Sequence, residues 1–285
     1  MPVTLATALV LGAATSKLPR GGEVPPRRLL PACVAAEARS QHQEDLMVLA
    51  PLRCMLNGGP GTFVELGAYT GVDLSNTVML ERCYNWTGVL VEASTTNFAK
   101  LATSGRRATK VHSAVCPGDQ DSTVEFTVDS GDTSGEPSLR REEQKTKRWA
   151  HKNANTTRLG ALRRARVPCR SLDRILNAAG FPKIDVLFLD VEGAEAKVLQ
   201  AVDPRRFSVV VMEAAGYPND GGRLETVVEP LLLRAGFRRE RKLEAHNRGA
   251  WNPAYVRADG PMSRECLSCG AHTACRDRFF AGSIS

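Results

Sequence analysis

The chain has 285 residues, 38 Lys+Arg against 31 Asp+Glu, a formal charge of +7 and 42% hydrophobic residues. Fractions near globular averages exclude a disordered, collagen-like or coiled-coil chain, and the length suits one large α/β domain with extensions, or two domains at most. No apolar run approaches the roughly 18 residues of a membrane-spanning helix, which excludes a polytopic membrane protein.

Val3 to Ala14 is an apolar run of small and branched residues followed by Thr15, Ser16 and Lys17. It has the length of a secretory signal core but no basic leader, so a signal and a buried helix both fit, and both the cytoplasm and the secretory pathway stay open. Arg20 to Pro31 is rich in proline and glycine and reads as a linker, which makes residues 1–40 an N-terminal extension. Helical spacing of Leu46, Met47, Leu49, Ala50 and Leu52 predicts a helix over Gln41 to Leu56, with Pro51 kinking or dividing it. Asn57 to Gly61 stops that helix.

Strands and helices then alternate. Strands are expected at Thr62 to Leu66, Gly88 to Val91, Lys110 to Val115, Ile184 to Leu189 and Phe207 to Met212, and an alternating one at Val124, Phe126 and Val128. Helices are expected at Asp73 to Cys83, Thr95 to Thr103, Ser171 to Ala179, Ala194 to Ala201 and Gly222 to Ala235. Phe237 to Leu243 and Trp251 to Val256 form a hairpin around Asn247-Arg248-Gly249. Continuously apolar strands between helices imply a parallel sheet covered on both faces, and the closing hairpin adds an antiparallel strand.

The most informative stretch is FVELGAYTG, Phe63 to Gly71, a strand running into a turn with two glycines four apart and then a helix. Gly67 permits the tight turn and a close backbone approach, but the third glycine of a dinucleotide-binding turn is absent, which counts against an NAD-dependent oxidoreductase. An acid, Glu65, precedes the turn, and a second, Glu92, ends the next strand 27 residues later. One strand–helix–strand unit fills that gap and brings Glu92 to the carboxyl edge of the neighbouring strand. An acid there can accept hydrogen bonds from both hydroxyls of a ribose.

FVELGAYTG, the SNT triplet Ser75 to Thr77, NWTGVLVEAS at Asn85 to Ser94, VPCRSLDRIL at Val167 to Leu176 and IDVLFLDVEGAEAKVL at Ile184 to Leu199 together resemble FkbM-type methyltransferases. The resemblance is closest to the eukaryotic branch that includes the Star-like proteins, and it covers Gln43 to about Arg257. It implies a Rossmann-like class I methyltransferase fold, with a seven-stranded, mostly parallel sheet in a domain spanning residues 41–257, and S-adenosylmethionine as cofactor. Glu65, Gly67, Ala68, Tyr69 and Gly71 would then form the methionine side of the cofactor site. Glu92 and Ala93 would lie at the ribose, and Ser113 and Ala114 at the adenine. It implies methyl transfer to a hydroxyl, on a sugar or another small polar acceptor; a non-catalytic scaffold retaining the fold is the alternative.

The fourth strand ends at Asp190, Glu192 follows, and the fifth ends at Glu213, so three acids reach one sheet edge. A carboxylate there can take the proton of an attacking hydroxyl, and clustered acids can instead hold Mg²⁺. Asp190, Glu192 and Glu213 are accordingly the catalytic candidates. Glu195 and Asp173 read as helix-starting acids, and His112 as a satisfied core residue rather than a base.

From Leu139 to Arg170 eleven Lys/Arg face two Asp/Glu. The insert 139–166 suits an anionic acceptor, while its single Trp149 lacks the stacking platforms of a nucleic-acid binder. Eight cysteines are present, and Cys266, Cys269, His272 and Cys275 fall in a Cys-rich tail, residues 258–285. Zinc, disulfides and incidental thiols all fit that spacing. Asn85-Trp86-Thr87 and Asn155-Thr156-Thr157 are glycosylation sequons, meaningful only in a chain that enters the secretory pathway.

Overall fold

The computed structural model describes residues 30–118, 120–128, 163–191, 194–213, 224–247, 250–269 and 273–280. Its strands are β1 (Thr62–Leu66), β2 (Thr87–Glu92), β3 (Thr109–His112), β4 (Ala114–Val115), β5 (Ser122–Val128), β6 (Arg163–Arg170), β7 (Ile184–Leu189), β8 (Phe207–Met212), β9 (Phe237–Arg239), β10 (Ala245–Asn247), β11 (Ala250–Asn252) and β12 (Ala254–Arg257). Seven of them form one sheet in the order β3-β2-β1-β7-β8-β12-β9. The first five in that order are mutually parallel, and β12 lies antiparallel between β8 and β9. The expected class I architecture is present, antiparallel C-terminal strands included.

The apolar strands follow from burial on both faces. Val64, Leu66, Val89, Val91, Leu187, Leu189 and Val210 fill one face, against Leu172, Ile175, Leu199 and Leu232 from the helices. Phe63, Leu90, Val186, Phe188, Val209 and Val256 fill the other, against Leu46, Leu49, Leu52, Met79 and Leu80. Strand order reverses between β1 and β7, and it is beyond the carboxyl ends at such a reversal that open α/β sheets bind ligands.

Several elements differ from expectation. Pro51 does not divide its helix in two: Glu44–Met55 runs unbroken with Pro51 inside it, because Val48, Leu49, Ala50 and Leu52 are all buried and tertiary packing outweighs the missing hydrogen bond. The helix expected from Asp73 begins only at Val78. Residues 70–77 form a loop whose hydroxyls bond locally, with Thr70 Oγ1 accepting from the Asp73 amide at 2.9 Å, and such bonds compete with helix. The third strand breaks at Ser113, after which β4 joins a separate sheet in the order β4-β6-β5. The end of the basic insert, from Arg163, is strand β6, antiparallel to β5; residues 139–162 lie outside the described residues. The expected hairpin pairing forms between β9 and β12, and β10 and β11 between them make a separate antiparallel ribbon.

Apolar packing continues on both sides of the span 41–257. Leu30, Val34 and Ala38 before it, and Met262, Cys266, Leu267, Cys269 and Phe279 after it, belong to the same apolar cluster as β1 and β2. Arg53 Nε donates to the Phe279 carbonyl at 2.7 Å, while the Arg53 guanidinium lies 4.0 Å from the Tyr84 ring centre.

All eight cysteines are paired, as Cys33–Cys83, Cys54–Cys266, Cys116–Cys169 and Cys269–Cys275. This corrects the zinc reading of the tail, since Cys266, Cys269 and Cys275 have no thiolate to offer a metal. His272 is outside the described residues.

Candidate functional site

The turn after β1 is built by close backbone approach. Gly67 has φ +76°, and a Cβ placed on it would lie 1.9 Å from the Asp190 carbonyl oxygen, so glycine lets the β1 and β7 ends touch. The Gly67 and Ala68 amides both donate to the Val91 carbonyl at 3.1 Å, folding the turn onto β2. Tyr69 has φ +48°, and its amide donates to Glu92 Oε2 at 2.8 Å; the Ser94 amide donates to Oε1 at 2.7 Å. Glu92 thus stands buried at the carboxyl edge of β2, oriented by the turn it borders.

Glu65 is used differently. It lies on the same strand face as Phe63, and its carboxylate accepts from Ser75 Oγ (2.9 Å), the Asn76 amide (2.6 Å) and Thr77 Oγ1 (2.5 Å). Arg106 closes this network: Nη1 donates to the Gly71 carbonyl and to Ser75 Oγ, Nη2 to Thr77 Oγ1, and Nε lies 3.2 Å from Glu81 Oε2. Burial pushes the Glu65 carboxyl above the ordinary carboxylate range, against the opposing pull of Arg106 and the two hydroxyls. Glu65 therefore holds the loop 70–77 in shape from behind, and the SNT triplet is its ligand set. Gly71, φ +77°, packs where a Cβ would sit 2.5 Å from Leu101.

On the β3 side, the Ser113 amide donates to the Glu92 carbonyl at 3.1 Å. Its hydroxyl donates to the carbonyls of Ala114 (2.7 Å) and Pro168 (3.2 Å). Ala114 pairs with Cys169 across β4 and β6, and the Cys116–Cys169 disulfide fixes that junction. His112 is half-buried at the strand edge rather than in the core. It stacks on Phe98 with ring centres 4.8 Å apart, and its Nε2 is 3.1 Å from the Ala93 carbonyl. Ala93 thus sits between Glu92 and this stacked pair.

On the other side of the strand reversal, Asp190 and Glu213 do converge. The Asp190 amide donates to the Leu66 carbonyl at 3.2 Å and the Glu213 amide to the Leu189 carbonyl at 3.0 Å. Both acids line one small cavity together with Glu44, Asn76, Met212 and Asn252. Asn76 Oδ1 is buried there with no hydrogen-bond partner, an acceptor in need of a donor. Glu44 accepts from the His42 amide at 2.9 Å and from the Asn252 side-chain amide. Glu192 lies outside the described residues. Sequence reasoning missed Glu44, Asn252, Asn76 and Arg106: the first two arrive from helix Glu44–Met55 and strand β11, 208 residues apart, and no local pattern joins them.

Glu195 is buried and accepts from the Val191 amide at 3.4 Å, a helix-start role as expected. Asp173 is likewise the acid in the first turn of its helix, Leu172–Ala178, and has a further role. Ser171 caps that helix, and Asp173 bridges to the β8 side, accepting from the Asp203 amide at 2.9 Å and pairing with Arg206 at 2.7 Å. Among the described residues one set of three metal-ligand side chains has donor atoms within 4.8 Å of one another, Cys54, Cys269 and Cys275, and all three sulfurs are in disulfides. The acids at the cavity make no such set, so the Mg²⁺ reading has no ligand cage among them.

The residues present suit a nucleoside-bearing methyl donor. A buried, oriented carboxylate borders a glycine turn, an orphaned amide oxygen awaits a donor such as an ammonium group, and two further acids stand across the strand reversal. A family model for the methyltransferase FkbM domain matches residues 65–239. Among solved structures, the chain is similar to a precorrin-6y C5,15-methyltransferase from Geobacter metallireducens, at 12% identity over 72% of this chain and 87% of that one with TM-score 0.37. It is also similar to a magnesium protoporphyrin IX methyltransferase from Synechocystis PCC 6803 with bound SAM, at 12% identity over 76% and 79% of the two chains with TM-score 0.38. No curated protein matches it.

Proposed function

The chain belongs to the FkbM family of S-adenosylmethionine-dependent methyltransferases, and on that premise we propose that it methylates a hydroxyl of a small polar acceptor such as a sugar. The observation that carries this reading is the division of acids at the strand reversal. Glu92 lies on the β2 side, where a ribose diol would be held, and Asp190 with Glu213 on the β7–β8 side, where a hydroxyl proton would leave. The bound cofactor supplies an electrophilic methyl group on a sulfonium. Gly67, Ala68, Tyr69 and Gly71 shape the methionine end of the donor site, Asn76 Oδ1 accepts from a donor group there, and Ala93, Ser113 and Ala114 wall the adenosine end. Asp190 accepts the hydroxyl proton as the oxygen approaches in line, with Glu213 beside it in the cavity and Glu192 the remaining acid candidate of the motif, and alignment supplies much of the remaining rate. The eleven basic residues between Leu139 and Arg170 favour an anionic acceptor.

Two substitutions separate the roles. Glu92→Gln should weaken binding of S-adenosylhomocysteine about 10- to 100-fold by calorimetry, since hydrogen bonds to a charged group contribute about 1.5–3 kcal/mol. Asp190→Asn should leave that affinity near wild type and lower kcat about 10²- to 10⁴-fold once an acceptor is found by mass-spectrometric screening for methylated hydroxyls. Unchanged affinity in the first variant, or unchanged kcat in the second, sinks the corresponding assignment.

A further inference from the structure

Three disulfides join elements far apart in sequence, with separations of 50, 212 and 53 residues, and a fourth spans 6. Every cysteine in the chain is consumed. Glutathione and thioredoxin keep cytosolic thiols reduced, so such complete pairing belongs to an oxidising compartment. An independent feature points the same way. The sequon Asn85-Trp86-Thr87 lies at the turn between helix Val78–Tyr84 and β2, with Asn85 in the left-handed region at φ +57°. Asn85 and Thr87 are exposed, while Trp86 between them is buried and anchors the turn. The atom held at Asn85 is Oδ1, which accepts from Arg107 Nη1 at 2.8 Å; the nitrogen, to which a glycan attaches, lies on the exposed residue.

We propose that this chain matures in an oxidising, glycosylating compartment and carries an N-linked glycan on Asn85. In the glycan step the Asn85 amide nitrogen attacks the anomeric carbon of a lipid-diphosphate-linked oligosaccharide. An N–C bond forms, the C–O bond to the diphosphate breaks, the diphosphate lipid leaves, and the amide loses one proton. In the cysteine steps each thiol pair gives two electrons and two protons to a disulfide oxidant of the compartment, which is reduced to a dithiol. The exposed turn can accommodate a glycan on the folded protein, because the sugar would extend from the surface beside Thr87, away from the carboxyl edge at the opposite end of β2.

The test expresses the full chain with its own N-terminus in cultured animal cells, traps thiols with an alkylating reagent at lysis, and maps peptides by mass spectrometry. The expected result is no alkylated cysteine before reduction and eight after it. Glycosidase release in heavy-oxygen water should convert Asn85 to labelled aspartate. Thr87→Ala and Asn85→Gln should each abolish the label at position 85, whereas Thr87→Ser should keep it, which separates loss of the sequon from loss of the fold. Eight alkylated thiols in unreduced protein, a bare Asn85, or a glycan at Asn155 with none at Asn85 would each overturn the proposal.

Discussion

At the residue scale, the turn after β1 depends on one missing side chain. Gly67→Ala carries two penalties: a left-handed φ, costing about 1–2 kcal/mol for a residue with a Cβ, and a Cβ driven into the Asp190 carbonyl. Gly180 shares the positive φ, +80°, but has open space around its missing Cβ. Gly180→Ala should therefore lose only the backbone contribution in urea unfolding. Gly67→Ala should lose clearly more and bind S-adenosylhomocysteine poorly, and equal losses in the two variants would refute the contact with Asp190. The two-glycine turn and Glu92 were legible in the sequence because strand periodicity counts residues to the sheet edge. The function of Glu65 was not: its partners Ser75, Asn76, Thr77 and Arg106 lie 10 to 41 positions away, and only the folded loop brings them together.

At the element scale, the loop 70–77 behaves as a strut between β1 and the segment before β3. Its rigidity rests on Arg106, whose guanidinium is buried between Glu65 and Glu81 and bonded to the Gly71 carbonyl, Ser75 and Thr77. Arg106→Leu leaves buried carboxylates without their cation and should destabilise the fold by about 3–5 kcal/mol. Removing the guanidinium takes away the largest pull opposing burial at Glu65, whose carboxyl already lies above its ordinary range. An acid raised in the folded state loses stability as pH rises through its folded value, so the deficit of Arg106→Leu should be smaller at mildly acidic than at alkaline pH. Adding Glu65→Gln should recover part of it, as denaturant titrations at two pH values would register; a pH-independent deficit would remove Glu65 from the account. Strands were readable as elements because both faces are apolar. The helix at Asp73 was misread because Thr70 and Ser75 divert their side chains to local backbone and to Glu65.

At the scale of the whole molecule, disulfides close what the apolar core begins. Under the loop-entropy account a crosslink contributes more the longer the loop it closes, typically about 2–4 kcal/mol. Replacing Cys54 and Cys266 by alanine, a separation of 212, should lower Tm well beyond replacing Cys269 and Cys275, a separation of 6. Comparable losses in calorimetric melts would argue against that account. Cysteine count alone did not reveal the pairing, because partners on helix Glu44–Met55 and helix Arg264–Cys269 meet only through tertiary packing.

The place of β12 inside the sheet sets an order of events in time. Translation delivers β8 and β9 before Ala254 to Arg257, yet in the finished sheet neither neighbours the other, because β12 separates them. During synthesis both must therefore keep an edge unpaired, and Cys54 must wait for a partner 212 residues downstream, while Cys33 can meet Cys83 far earlier. Unpaired strand edges invite association with other chains, so a nascent chain stalled before Ala254 would be a sticky species, open along β8. A ribosome pause in that window, or a premature stop there, thus threatens the cell through aggregation as well as through lost enzyme.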